Sequence, residues 1–218
     1  MRRKLYKYFP KREWAELFLD GKIFFRSLSY FQSFEDGNVR GDHDEGTATY
    51  KPDGGLVGYN LTRQRPLVRP NDAFKSTAAK PDEIFVFCAS LIFTEELRTA
   101  FGEPCVEIRS IQSFCNRIQR ALPPKTDFFN RPVSYYKPTD EPANRWALPD
   151  LIATSKFDSF AWQCEYRFGF SLTDALGFEK VAPRLTQEIT TPPGSLPDHP
   201  SYTLPVGSLR HVCGIREY

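Results

Sequence analysis

The stretch Phe160-Ala161-Trp162-Gln163-Cys164-Glu165-Tyr166-Arg167-Phe168-Gly169-Phe170 alternates without a break. Phe160, Trp162, Cys164, Tyr166, Phe168 and Phe170 fall on one side at period two, and Ala161, Gln163, Glu165, Arg167 and Gly169 on the other. Such alternation predicts a half-buried β-strand over 160–170. Its apolar side is almost wholly aromatic, so it must cover a core. Its other side sets an amide, a carboxylate and a guanidinium in one row, about 6–7 Å apart at the usual rise per residue. The row has two readings. It is a solvated sheet face whose Glu165–Arg167 pair is worth under ~1 kcal/mol, or it is a site. In a site, the carboxylate would stabilise a developing cation and the amide would orient a second reactant.

With 40% hydrophobic residues and 15% aromatics, the chain has material for a core. Net charge is +2, so nucleic-acid binding would have to come from a local patch and not from an overall basic field. No apolar run approaches ~18 residues, so no membrane span is expected. The basic start Met1-Arg2-Arg3-Lys4 leads into Leu5-Tyr6-Lys7-Tyr8 and not into an apolar segment, unlike a secretion signal. The five cysteines are scattered and form no C-x-x-C pair. They read as reduced core residues of a cytoplasmic protein, without zinc-ligand spacing.

In chain order, Lys4 to Phe9 predicts a strand and Lys11 to Asp20 a helix whose apolar face is Trp14, Leu17 and Phe18. Gly21 caps that helix, and Ile23 to Arg26 predicts a second strand. Ser27 to Phe31 continues into a turn or short helix. Residues from about 32 to 72 predict a long loop insertion with little periodicity before Thr47-Ala48-Thr49-Tyr50. Its acidic cluster Asp42, Asp44, Glu45 either caps neighbouring backbone or ligates a divalent cation, although the ligand spacing of a calcium loop is missing. Ile84 to Ser90 predicts a central strand, Thr94 to Phe101 a helix ended by Gly102, and Cys105 to Ile108 a strand. Ser110 to Leu122 is amphipathic through Ile111, Phe114, Cys115, Ile118 and Leu122 and stops at Pro123-Pro124. Val133 to Lys137 predicts a strand, Leu151 to Phe160 a helix or turn. From about Pro183 to 218 the chain predicts a meandering surface segment, with Leu209 to Ile215 returning as an edge strand. No G-x-G-x-x-G or P-loop is present, and His43, His199 and His211 form no convincing catalytic triad.

The order of these pieces resembles the ADP-ribosyltransferase superfamily. Its early strand carries Leu-Tyr and a basic residue, here Leu5-Tyr6-Lys7. A helix, a glycine and a second strand follow, here Trp14 to Gly21 and Ile23 to Ser29. A late strand carries [Glu/Gln]-x-Glu, here Gln163-Cys164-Glu165. In more detail, Leu28-Ser29-Tyr30-Phe31, Glu35-Asp36, Arg40-Gly41-Asp42 with Glu45-Gly46, and Glu165-Tyr166-Arg167 are similar to a bacterial family that includes phage-defence toxins of this kind. Lys7 departs from the superfamily's His or Arg and lacks the planar fork of Arg.

The resemblance implies a single α+β domain over 1–218, an ADP-ribosyltransferase-like split β-sheet core with flanking helices. It implies NAD as the substrate that is cleaved. Glu165 would stabilise the oxocarbenium-like state at the nicotinamide ribose, a state related to that of glycoside hydrolysis. Gln163 would orient the acceptor, and Arg40 would contact the diphosphate, polarise the acceptor or brace Asp42. Lys7, Tyr8, Ser27, Ser29 and Tyr30 would bind the cofactor, with a tyrosine stacked on nicotinamide. A Gln in the first position shifts the expected acceptor from arginine toward a nucleic acid, RNA or DNA, or another protein side chain. Implied partners are that acceptor and an antitoxin protein, in the cytoplasm and with no membrane. Two other classes compete: an inactive member that binds nucleotide or a partner, and a metal-dependent nuclease using Asp42, Asp44 and Glu45.

Overall fold

The computed structural model describes residues 3–33, 45–69, 72–78, 80–141, 148–177 and 199–216. The protein is α+β, with a mostly antiparallel sheet and few, short helices. Its elements in the first third are β1 (Leu5–Tyr8), α1 (Arg12–Leu19), β2 (Lys22–Ser27), α2 (Leu28–Ser33), β3 (Thr47–Tyr50), β4 (Leu56–Asn60), β5 (Arg65–Arg69) and β6 (Phe74–Thr77). The middle supplies β7 (Phe85–Ser90), α3 (Glu95–Phe101), β8 (Cys105–Ile108), α4 (Ile111–Ala121), β9 (Asp127–Pro132) and β10 (Ser134–Tyr136). The remainder gives α5 (Pro149–Ile152), β11 (Ser155–Phe157), β12 (Glu165–Ser171), β13 (Ser201–Pro205) and β14 (Cys213–Arg216). No helix among the described residues is long and apolar enough to cross a membrane.

The sheet is organised on β7, whose run Phe85-Val86-Phe87-Cys88-Ala89-Ser90 is apolar on both faces, as a central strand requires. One edge of β7 carries β12 along its whole length, from Glu165↔Ser90 to Phe170↔Phe85, with β9 beyond. The opposite edge is shared. β2 pairs there at Arg26↔Val86 and Ser27↔Phe85, while β1 pairs at Tyr6↔Ser90. Between these two contacts β1 and β2 diverge, one leading to β8 and β14 and the other to β13. The sheet therefore splits along one edge of its central strand.

The back of the split is closed by apolar packing. Phe18 of α1 stacks on Phe87 at 5.6 Å, and Phe25 and Phe114 pack on the same ring at 5.9 and 6.0 Å. Phe168 and Phe170 of β12 meet Phe114 and Phe25 edge-on. Aromatic pairs at such separations add to plain area burial. Helix α4 begins on a Ser110 N-cap that accepts from the Ser113 N–H at 3.3 Å and buries Phe114, Cys115 and Ile118. Helix α3 uses Thr94 in the same way, and Gly102 ends it at φ 120°, where a Cβ would lie 2.2 Å from the Phe9 carbonyl oxygen.

Several sequence expectations need correction. The alternating strand begins at Glu165 and not at Phe160: Asp158–Gln163 is a 3-10 helix and Cys164 is left-handed at φ 42°. Phe160 and Trp162 continue the period of two by composition alone: in a 3-10 helix residues three apart share a side, so these two, only two apart, do not share a face. In α1 the buried residues are Ala15, Phe18 and Leu19, while Trp14 and Leu17 stay 50% and 44% exposed. Beyond Gly46 the expected irregular insertion carries three strands: β4 pairs with β5, and β3 pairs with β6, which lies just past the expected end of the insertion. Strands β9 and β13, each of which ends on a proline, and β11, within the stretch expected as helix or turn, are not among the sequence expectations.

Candidate functional site

A pocket of about 620 Å³ opens where β1 and β2 leave β7. Tyr6, Lys7 and Tyr8 line it from β1, Phe24 and Arg26 from β2, and Tyr30 from α2. Trp14, exposed on α1, also lines it, so the helix face assigned by sequence to the core faces the pocket in part. The guanidinium of Arg26 lies 4.6 Å from the Phe24 ring and 4.3 Å from the Tyr30 ring, held over two aromatic faces. The Lys7 ammonium sits 4.9 Å from the Phe87 ring. Aromatic walls with fixed cations suit a ligand that has flat rings and negative charge.

Gln163, Glu165, Arg167 and Lys156 line the same pocket. None of the four is exposed. Glu165 retains 6% exposure, Arg167 2%, Lys156 5% and Gln163 5%, so the solvated-face reading of this row is wrong. Arg167 directs Nε to Glu165 Oε1 at 2.9 Å and Nη2 to Glu165 Oε2 at 3.1 Å. It also holds Glu45 through Nη1 and, at 3.0 Å, through Nη2, and donates to the Ala153 carbonyl at 2.6 Å. All five donors of the guanidinium are used. Lys156 reaches Gln163 Oε1 at 3.0 Å, Glu165 Oε2 at 3.4 Å and Glu45 Oε2 at 3.8 Å. Two carboxylates and two cations thus form one closed, charge-balanced cluster, the condition under which burial of ions is tolerable.

These contacts set protonation. Burial pushes the Glu165 carboxyl up, but the charges of Arg167 and Lys156 and hydrogen bonds from Arg167 and Cys88 outweigh it, so its pKa falls well below the ordinary range. Burial likewise pushes the Cys88 thiol up, and Glu165 beside it pushes further, so Cys88 stays a neutral donor and not a nucleophile. Burial lowers the Arg167 pKa, yet Glu165 and Glu45 raise it more, and the net direction is up. Main-chain contacts fix Glu165 as well: its N–H donates to the Tyr135 hydroxyl at 2.8 Å, and its carbonyl accepts from Val133 at 2.9 Å.

Of the residues expected from sequence, Glu165, Gln163, Lys7, Tyr8 and Tyr30 all reach this pocket. Gln163 does so from the 3-10 helix, not from the strand. Tyr8 also braces α3, its hydroxyl accepting from the Thr94 N–H at 3.0 Å and donating to the Thr94 carbonyl at 3.3 Å. Ser27 and Ser29 lie off the pocket wall. Their hydroxyls join at 2.9 Å, and Ser29 continues to Asp82 and to His199 Nδ1 at 3.2 Å. Arg40, Asp42 and Asp44 fall outside the described residues. Glu45 is described, and its carboxylate is committed to Arg167.

Sequence reasoning missed three contributors. Arg26 gave no signal beyond being a strand cation. Lys156 stood only as a residue near the alternating stretch, because its partners lie on other elements. Glu45 was grouped with Asp42 and Asp44, although the long-range pair with Arg167 decides its role. No protein-family model, curated protein or solved structure matches the chain.

Proposed function

We propose that this protein is an NAD-dependent ADP-ribosyltransferase, with an ADP-ribosyltransferase-like core and a nucleic acid or a protein side chain as acceptor. The observation that carries the reading is the location of Glu165. An ionised carboxylate stands on the first residue of β12, in the wall of an aromatic and cationic pocket at the split of the sheet. Lys7, Tyr8 and Tyr30, expected from the resemblance alone, line the same pocket.

In the proposed reaction the bond between the ribose C1′ and the nicotinamide nitrogen breaks, and nicotinamide leaves with the electron pair. A bond then forms from C1′ to the acceptor, which gives up its proton; water in that role yields hydrolysis. Glu165 offers negative charge where C1′ and its ring oxygen become positive, and fixed charge of this kind is worth several kcal/mol in other enzymes. Gln163 orients the acceptor without adding charge. Lys7 and Arg26 would meet the diphosphate, and a tyrosine ring would stack on nicotinamide.

The test is incubation with NAD labelled in its adenylate phosphate, together with total bacterial protein and total bacterial nucleic acid. Label is expected in one macromolecular fraction, and release of nicotinamide is expected with it. Absence of both from the wild type, with no nicotinamide released at any protein concentration, overturns the reading. One observation favours a second reading, a binding module without turnover: both Glu165 oxygens are already engaged by Arg167 and Lys156. NAD binding by calorimetry without cleavage is what that reading expects.

A further inference from the structure

We propose that Lys156 is a positioning residue of this site, tying the Gln163 amide to the Glu165 carboxylate so that the acceptor-orienting group and the charge-stabilising group act as a unit. The proposal rests on the transferase reading above. On an unbroken strand, residues two apart share a face automatically. Here Gln163 ends a 3-10 helix, Glu165 starts β12, and Cys164 between them is left-handed. The backbone therefore does not by itself align the pair. The two side chains nonetheless converge on one atom, Lys156 Nζ, at 3.0 and 3.4 Å.

The ammonium only donates, so the atom of the Gln163 amide that faces it must be the oxygen, which fixes the amide's orientation. Lys156 is itself fixed. It sits on β11, paired in parallel with β10 at Tyr135↔Lys156, its ammonium 4.7 Å from the Phe160 ring. Tyr135 of the same pair takes the Glu165 N–H at 2.8 Å. One two-stranded unit thus holds Glu165 by its backbone and joins its carboxylate to Gln163. The two ends of this link are unequal. Without Lys156, Glu165 keeps both hydrogen bonds from Arg167, whereas Gln163 loses its bond to the ammonium.

This inequality makes a role in positioning separable from plain charge balance among Glu45, Glu165 and Arg167. The experiment compares wild type, Lys156→Met, Lys156→Arg and the double variant Glu45→Gln/Lys156→Met, which restores charge balance without restoring the link. Each is assayed with labelled NAD and total bacterial protein and nucleic acid, scoring both transfer and nicotinamide release. Lys156→Met is expected to lower transfer about 10–100-fold, the scale of a small misplacement of a reactant. The KM for NAD should stay within about two-fold, since Arg26 and Lys7 are untouched. Lys156→Arg, which keeps a donor in place, should recover most of the loss.

The double variant should recover thermal stability relative to Lys156→Met but keep a ratio of transfer to hydrolysis below that of the wild type, since Glu165 keeps its bonds from Arg167 while Gln163 lacks its link. If Lys156→Met does not fold, the double variant and Lys156→Arg carry the same comparison. A double variant whose ratio returns to that of the wild type overturns the proposal and leaves Lys156 as a charge balancer. A wild type that releases no nicotinamide overturns the transferase reading itself, and this role falls with it; the two failures are thus distinct.

Discussion

Arg167 grips Glu165, two residues before it on β12, through two hydrogen bonds of 2.9 and 3.1 Å, both inside the protein. Same-face neighbours on a strand meet in this way only when their long side chains fold toward each other, which open water does not reward. Burial does reward it, because each ion loses its water and needs the other. The Glu165–Arg167 pair is therefore held together by its own burial in the wall of the pocket, and most predictions for this protein follow from that.

Arg167→Met leaves Glu45 and Glu165 buried with Lys156 as their remaining partner within the cluster. Breaking such a cluster from one side is expected to cost about 3–5 kcal/mol. Arg167→Lys should recover little, since an ammonium cannot fork to two carboxylates and a carbonyl at once. Urea unfolding followed by circular dichroism measures both; a loss under about 1 kcal/mol in Arg167→Met would show that the cluster contributes little.

Glu165→Gln is expected to remove transfer and NAD hydrolysis together, by about 10²-fold or more, since it deletes the charge opposite the developing cation. It should also destabilise the fold, because Arg167 and Lys156 then outnumber Glu45 within the buried cluster. Activity is read as nicotinamide release on samples shown to be folded at the assay temperature. Retained hydrolysis in the folded variant would remove Glu165 from the chemistry.

The same residue sets an acid limb of stability. Its folded pKa is depressed below the ordinary ~4.3. The stabilisation is therefore fully present above that unfolded value and is lost as pH falls below it toward the folded value. Wild-type urea midpoints should be flat from neutrality to about pH 5 and drop steeply below about pH 4.5, with a shallower drop in Glu165→Gln. Parallel profiles for the two proteins would place the acid limb elsewhere.

Gln163→Ala is expected to lower transfer more than hydrolysis, since it removes orientation of the acceptor and leaves the carboxylate in place. A transfer loss of about ten-fold or more with hydrolysis within about three-fold is the expected pattern. Equal losses would assign Gln163 to holding Glu165 instead.

Gly169 lies two residues beyond Arg167, and a Cβ there would stand 2.2 Å from Cζ of Phe129 on the paired strand β9. Gly169→Ala should destabilise by about 1–3 kcal/mol through overpacking. Phe129→Leu in the same chain should return part of that loss, a coupling that a double-mutant cycle measures. Additive effects would mean that the ring moves aside without cost.

Much was legible in the chain itself. Local signals placed β8, α3 and α4 to within a residue of their ends, because periodicity, an N-cap hydroxyl, a glycine or a proline acts over a few bonds. The apolar run at Ile84 to Ser90 marked the central strand, and the row Gln163, Glu165, Arg167 marked one wall of the candidate site. Tertiary structure decided what that row means. Whether Glu165 and Arg167 face water or the interior depends on Glu45, 122 residues before Arg167, and on Lys156 from a separate pair of strands. The split of the sheet depends on two strands contending for one edge of β7, a matter of pairing between distant segments. Alternation of residue types fixes which side chains share a face; what covers that face is fixed only when the rest of the chain folds over it, since desolvation belongs to the assembled structure and not to the segment.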